Sequence, residues 1–120
     1  MKKQIAIGTA VLTATGQRGT LTEYEDGCAV VRLNTVLSFV VDPSAVAPAD
    51  EVEVLPVTVK TEGVEVRKYS EATIGWQRSR WLVRVGGFSD LRKTRAEALT
   101  VATFMMAVSR WHADSTAVAQ

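Results

Sequence analysis

Hydrophobic residues recur at every second position in short runs as far as Val85, and at helical spacing from Thr94 onward. A period of two marks half-buried strands and a period near 3.6 marks a helix, so a β-rich first part followed by one helix is predicted. "IAIGTAVLTA" is rich in β-branched residues and predicts the first strand, with a tight turn in "TGQRGTL" behind it. Asp26-Gly27 is a turn signal ahead of a strand at Cys28–Leu33. "VLSFVVD" is a further β-branched run closed by Asp42-Pro43, and "EVEVL" alternates as a half-exposed strand does. Five short strands within about 55 residues, with turns roughly every 8–12, predict a small closed barrel.

The stretch "DPSAVAPADEVEVLP" holds all three prolines and is the natural boundary. After it, "VTVKTEGVEVRKY" sets Val57, Val59 and Thr61 on one side and Thr58, Lys60 and Glu62 on the other. Val64 and Val66 resume the apolar face past Gly63, which predicts a hairpin. "TIGWQ" and "RWLVRV" supply one or two further strands. Within the latter, Trp81, Val83 and Val85 share the expected core face, while Arg80, Leu82 and Arg84 share the other. Gly86-Gly87 is expected to end that strand and leave Phe88 and Leu91 in a loop. Thr94-Arg95-Ala96-Glu97 fits a capping box, so a helix should run from Arg95 to about Trp111. Ala98, Leu99, Val101, Ala102, Met105, Met106 and Val108 form its sheet-facing side, with Phe104 and Trp111 at the edge. "STAVAQ" carries no strong signal and is expected to fray.

The pattern therefore describes an α+β chain in two parts. Residues 1–55 make a small β-barrel, and residues 56–120 make a three-stranded antiparallel sheet packed by one C-terminal helix. The first part resembles the small barrels of the KOW and Tudor type, which share the Src-homology-3-like fold. Gly16 to Leu21 is similar to their Gly-x-x-Gly-Thr-Val turn, and Val31-Arg32-Leu33 to the end of one of their strands. The resemblance spans residues 8 to about 50 and implies binding of RNA, DNA, proteins or modified peptides. An aromatic cage for a methylated cation is not expected, because Tyr24 and Phe39 are the only aromatics in this part. Residues 57–112 resemble the sheet-plus-helix modules of phage integrase arm-binding and plant ethylene-response DNA-binding domains. Trp81, Arg80, Arg84, Thr94, Glu97 and Ala98 carry that likeness, while Gly87-Phe88 stands six residues too early for the Gly-x-Phe of those modules. It implies that sheet arginines enter the major groove. A β-β-β-α arrangement of the double-stranded-RNA-binding kind is the alternative.

Charge changes this picture. The net charge is +1, yet residues 1–56 hold four Lys/Arg against seven Asp/Glu, and residues 57–120 hold ten against six. The parts thus carry −3 and +4, a division of labour in electrostatic terms. Hydrophobic residues at 47% and charged residues at 22% fit a folded soluble chain. One cysteine and one histidine exclude an intrachain disulfide and a cysteine/histidine metal cluster, and suit a reducing, cytoplasmic compartment. "MKKQIAIGTAVLTATGQRG" has the two lysines of a secretory leader, but Gly8, Thr9 and Thr13 dilute its apolar run and a strand is expected instead. No run approaches the ~20 apolar residues of a membrane span.

The candidate chemistry lies in "RSRWLVRVGGFSDLRKTRAEAL", with six basic side chains and one acidic residue before Glu97. Arg78, Arg80, Arg84, Arg92, Lys93 and Arg95 are the candidate nucleic-acid contacts, since the guanidinium fork binds phosphate or guanine bidentately. Two basic residues at a helix start oppose the macrodipole, which favours an external anion there. The competing reading is a solvated face, or pairing with the acidic first part of this chain or another copy. Phe104 and Trp111 form a second candidate, a protein interface, unless the first part covers them. His112 is expected at the surface, Cys28 buried, and Glu23, Glu25 and Asp26 at a solvated hairpin tip. No Ser/His/Asp set, Gly-rich phosphate loop or paired carboxylates can be assembled, so neither an enzyme nor a cofactor or metal is expected. The sequence reading is a small binding protein for nucleic acid, DNA ahead of RNA. The alternative is a protein-binding adaptor, inhibitor or assembly subunit of phage or plasmid origin.

Overall fold

The computed structural model describes residues 5–69 and 80–118. It is an α+β structure of two antiparallel sheets and one C-terminal helix. The first sheet contains β1 (Ala10–Thr13), β2 (Arg18–Glu25), β3 (Cys28–Arg32), β4 (Ser38–Val41) and β5 (Val46–Pro48), in the order β4-β3-β2-β1-β5. A single 3-10 turn at Pro43–Ala45 leads into β5, and Asp42 caps it by accepting from the Ser44 amide at 2.8 Å. The second sheet has the order β6-β7-β8, from β6 (Val64–Tyr69), β7 (Arg80–Val85) and β8 (Phe88–Arg92). Helix α1 is Arg95–Val118.

Local chemistry explains the turns. Asp26 and Gly27 take φ of 51° and 79°, the sign that a two-residue hairpin between β2 and β3 requires at both positions. Thr22 sits at a register shift between β2 and β3, a bulge that adds local twist, and its hydroxyl donates to the Val30 carbonyl at 3.2 Å. Thr94 caps α1 as its sequence demands: Oγ1 accepts from the Glu97 amide at 3.1 Å.

Two cores meet along β1 and β5. The first sheet encloses Ile5, Val11, Leu21, Ala29, Val31 and Val46. The second core lies between α1 and the β6-β7-β8 sheet, and it includes Ala14 and Ala47 beside Val83, Val85, Ala98, Val101, Met105 and Val108. Ala14 and Ala47 come from the first part of the chain, so the helix is sealed against both sheets. The parts are joined by burial, and boundary residues Val52 and Val57 also pack on the helix side.

Five features depart from the sequence expectations. The fifth strand is Val46–Pro48, within the stretch read as a boundary, and "EVEVL" forms no strand. Val46 and Ala47 are fully buried on opposite sides, one in each core, so this strand is a continuous apolar run without alternation. The hairpin expected around Gly63 is absent because residues 58–61 form a turn. The Thr58 amide donates to Thr61 Oγ1 at 2.8 Å and the Thr61 amide to the Thr58 carbonyl at 3.0 Å, so threonine side chains compete with the ladder. Residues 88–92, expected as a loop, are strand β8, joined to β7 by a two-residue Gly86-Gly87 turn with Gly86 at φ 57°. The helix continues past Trp111 to Val118, through part of the segment expected to fray. The "TIGWQ" strand lies outside the described residues. Among the described residues β4 and β5 remain the two ends of the first sheet, so its ladder does not close into the ring expected of a barrel.

Candidate nucleic-acid interface

Strand β7 is the middle of the second sheet, so its alternation sorts the whole sheet into two faces. Trp81, Val83 and Val85 face α1, together with their cross-strand neighbours Lys68, Val66 and Val64 on β6 and Arg92, Asp90 and Phe88 on β8. The opposite face carries Arg80, Leu82 and Arg84, flanked by Tyr69, Arg67 and Glu65 on one side and by Leu91 and Ser89 on the other. Arg80 and Arg84 are four residues apart on one strand, about 13 Å at the usual rise. Between them Leu82 is 8% exposed, and beside it Leu91 is 40% exposed.

The charges on this outer face are unequal. Among the described residues, Arg67, Arg80 and Arg84 stand against one carboxylate, Glu65, whose Oε1 accepts from Arg67 Nε at 2.7 Å. Glu65 also lies directly across from Arg84 in the register, so Arg84 is partly countered. Among the described residues, neither Arg80 nor Arg84 makes an ion pair or side-chain hydrogen bond. Arg84 is exposed and Arg80 half-buried. Lys93 and Arg95, both exposed, follow β8 at the Arg80 end of β7, because Arg92 pairs with Trp81.

Not every predicted contact joins this set. Arg92 lies on the helix-facing side, where Nε and Nη2 hold Asp90 Oδ2 at 2.8 and 2.7 Å. Its odd-even position decides this: β8 turns 89 and 91 outward and 88, 90 and 92 toward the helix. Arg78 lies outside the described residues. Arg67, Tyr69 and Ser89 were missed by the sequence reading. The signal for Arg67 and Tyr69 was the polar half of the Val64/Val66 alternation, and using it required the register between β6 and β7; Ser89 is placed by the register between β7 and β8.

The aromatic edge of the helix is not free. The Phe104 ring lies so close to Gly16 that a Cβ there would come within 2.7 Å of its Cδ2. Trp111 is half-buried and packs against both cores. His112, expected at the surface, is half-buried, with Nε2 2.6 Å from the Val46 carbonyl oxygen. A carbonyl only accepts, so Nε2 carries the proton and ties α1 to β5. Cys28 is half-buried rather than fully enclosed. Glu23, Glu25 and Asp26 are exposed, at the β2–β3 hairpin.

A cleft lies where the 3-10 turn, the β7–β8 turn and α1 converge. It has a volume of about 390 Å³ and is lined by Asp42, Ser44, Gly87, Phe88, Ser109 and His112. Ser44 Oγ donates to Asp42 Oδ1 at 2.6 Å, so this serine is bound to the carboxylate that caps the turn. Among the described residues no group of three or more His, Cys, Asp and Glu converges. No helix there is long and apolar enough to cross a membrane. Compared with family models, curated proteins and solved structures, the chain matches none.

Proposed function

We propose that the protein is a non-enzymatic nucleic-acid-binding protein that engages duplex DNA, with the outer face of its second sheet as the contact surface. The observation that carries this reading is the pair Arg80 and Arg84, held on the central strand, facing away from the helix and without an ion-pair partner among the described residues. A rigid antiparallel sheet fixes their spacing, and a fork of donors at each end of β7 suits phosphate oxygens or guanine edges. Lys93 and Arg95 extend the positive field at the Arg80 end. Tyr69 is the one aromatic of this face among the described residues, which offers little stacking surface for unpaired bases, so a duplex is favoured over a single strand. The first sheet, five short strands over residues 10–48, supports reading that part as a small barrel of the KOW and Tudor type, here acting as a brace for the helix. Protein binding through Phe104 and Trp111 is the weaker reading, since both rings serve packing.

The test is fluorescence anisotropy with a short labelled duplex. Arg80→Glu/Arg84→Glu should weaken binding by about 100-fold at ~0.1 M salt, through loss of two contacts and gain of two repulsions. Equal affinity of this variant and the parent protein rejects the surface.

A further inference from the structure

The first sheet carries an edge that differs from every other edge in the molecule. Among the described residues β4 pairs with β3 alone. Its sequence, Ser-Phe-Val-Val, contains no charge and no proline. Natural edges are blunted with charges, prolines, shortness or a cover. β5 is three buried residues ending in proline, and α1 packs on it. β6 carries Glu65, Arg67 and Lys68, and β8 carries Asp90 and Arg92. β4 has brevity alone.

The backbone of β4 is also poised for pairing. Leu33 donates to the Leu37 carbonyl at 2.9 Å, which sets the phase of the antiparallel ladder. Bonded pairs then alternate, so Phe39 and Val41 bond inward to β3 while Ser38 and Val40 turn their amides and carbonyls outward. The exposed aliphatic residues collect at the same place: Val36 is 91% exposed, Val40 59% and Leu37 50%. The loop that presents them is ordered. Asn34 Oδ1 accepts from the Val36 and Leu37 amides at 2.9 Å each, and Arg32 donates to the Asn34 and Thr35 carbonyls at 3.1 and 3.3 Å. Four polar contacts thus hold two aliphatic side chains in water instead of letting the loop fold over them.

We propose that two copies of the chain pair antiparallel through their β4 edges about a twofold axis. An uncharged strand meets its own copy without repulsion, and outward groups on Ser38 and Val40 match the same groups in the second copy. An axis through Phe39 sets Ser38 of each copy against Val40 of the other, so every outward group meets an outward group and the exposed Val40 side chain is covered in part. Because the opposite edge of the sheet is closed by β5 and the helix, pairing stops at two copies and does not propagate. Four strand residues and a loop give a contact below the ~1,200–2,000 Å² of a standard interface, so the dimer should dissociate in the micromolar range.

Sedimentation equilibrium on the full chain tests this. The mass should rise from 13.0 kDa toward twice that value as concentration increases from about 1 to about 300 µM. Val40→Pro removes an outward amide that β3 does not use, and Val40→Lys brings like charges together across the axis. Both variants should remain at monomer mass with an unchanged circular dichroism spectrum. If Val40→Pro loses that spectrum, Val40→Lys alone decides. A parent protein that stays monomeric throughout overturns the proposal. So does growth beyond two copies, or a dimer that a folded Val40 variant leaves intact.

Discussion

The two sheets use the same alternation to different ends. In β2 the outward positions near the hairpin are Glu23 and Glu25, while in β7 they are Arg80 and Arg84. Both strands turn apolar residues inward: Tyr24 packs on the first core between the two glutamates, with Leu21 buried beyond the bulge at Thr22, and Val83 and Val85 are buried in the second. The inward residues therefore specify the scaffold, and the outward residues specify what each sheet can meet. The first sheet offers an acidic hairpin and a bare apolar edge. The second offers a cationic face backed by a helix. Their cores touch through Ala14 and Ala47, so this electrostatic division is built on shared packing.

Substitutions in the shared packing break the comparison most strongly. Met105, 1% exposed between helix and sheet, should cost about 2–5 kcal/mol as Met105→Ala. Leu21→Ala, in the first core, should cost a similar amount. If the cores are coupled, urea unfolding followed by tryptophan fluorescence and by far-ultraviolet circular dichroism should give one coincident transition in each variant. Two separated transitions would divide the molecule at its boundary. Gly16→Ala comes next. Gly16 has φ 93° and lies under Phe104, so a methyl group meets both a left-handed backbone and an aromatic ring, and about 2 kcal/mol should be lost. Thr94→Ala removes the helix cap for roughly 1 kcal/mol, visible as a lowered Tm with an unchanged sheet signal. Smallest of all is Arg92→Ala. Its partly exposed pair with Asp90 should be worth no more than about 0.5 kcal/mol, and duplex affinity should stay within about twofold of the parent.

Much of this architecture was legible in the chain. The Asp26-Gly27 turn, the strand after it, the faces of β7 and the Thr94 cap all follow from local chemistry, and each is where its residues place it. β5 was not legible, because a strand buried on both sides has no alternation and its proline suggested a linker. The Gly86-Gly87 pair reads equally as a strand end or a hairpin, and β8 has too few apolar residues to choose between them. Of the candidate contacts, Arg80 and Arg84 could be grouped from one strand's alternation. Separating Arg92 from them, and adding Arg67, required cross-strand register, which comes from tertiary pairing and is not written in either strand alone.

The salt dependence of duplex binding tests the role of the outer face most directly. Three or four phosphate contacts give a slope of log affinity against log salt of about −3 to −4, and Arg80→Ala/Arg84→Ala should reduce its magnitude by about 2. A parent slope near zero, or a slope that the double substitution leaves unchanged, contradicts the assignment of these arginines to phosphate.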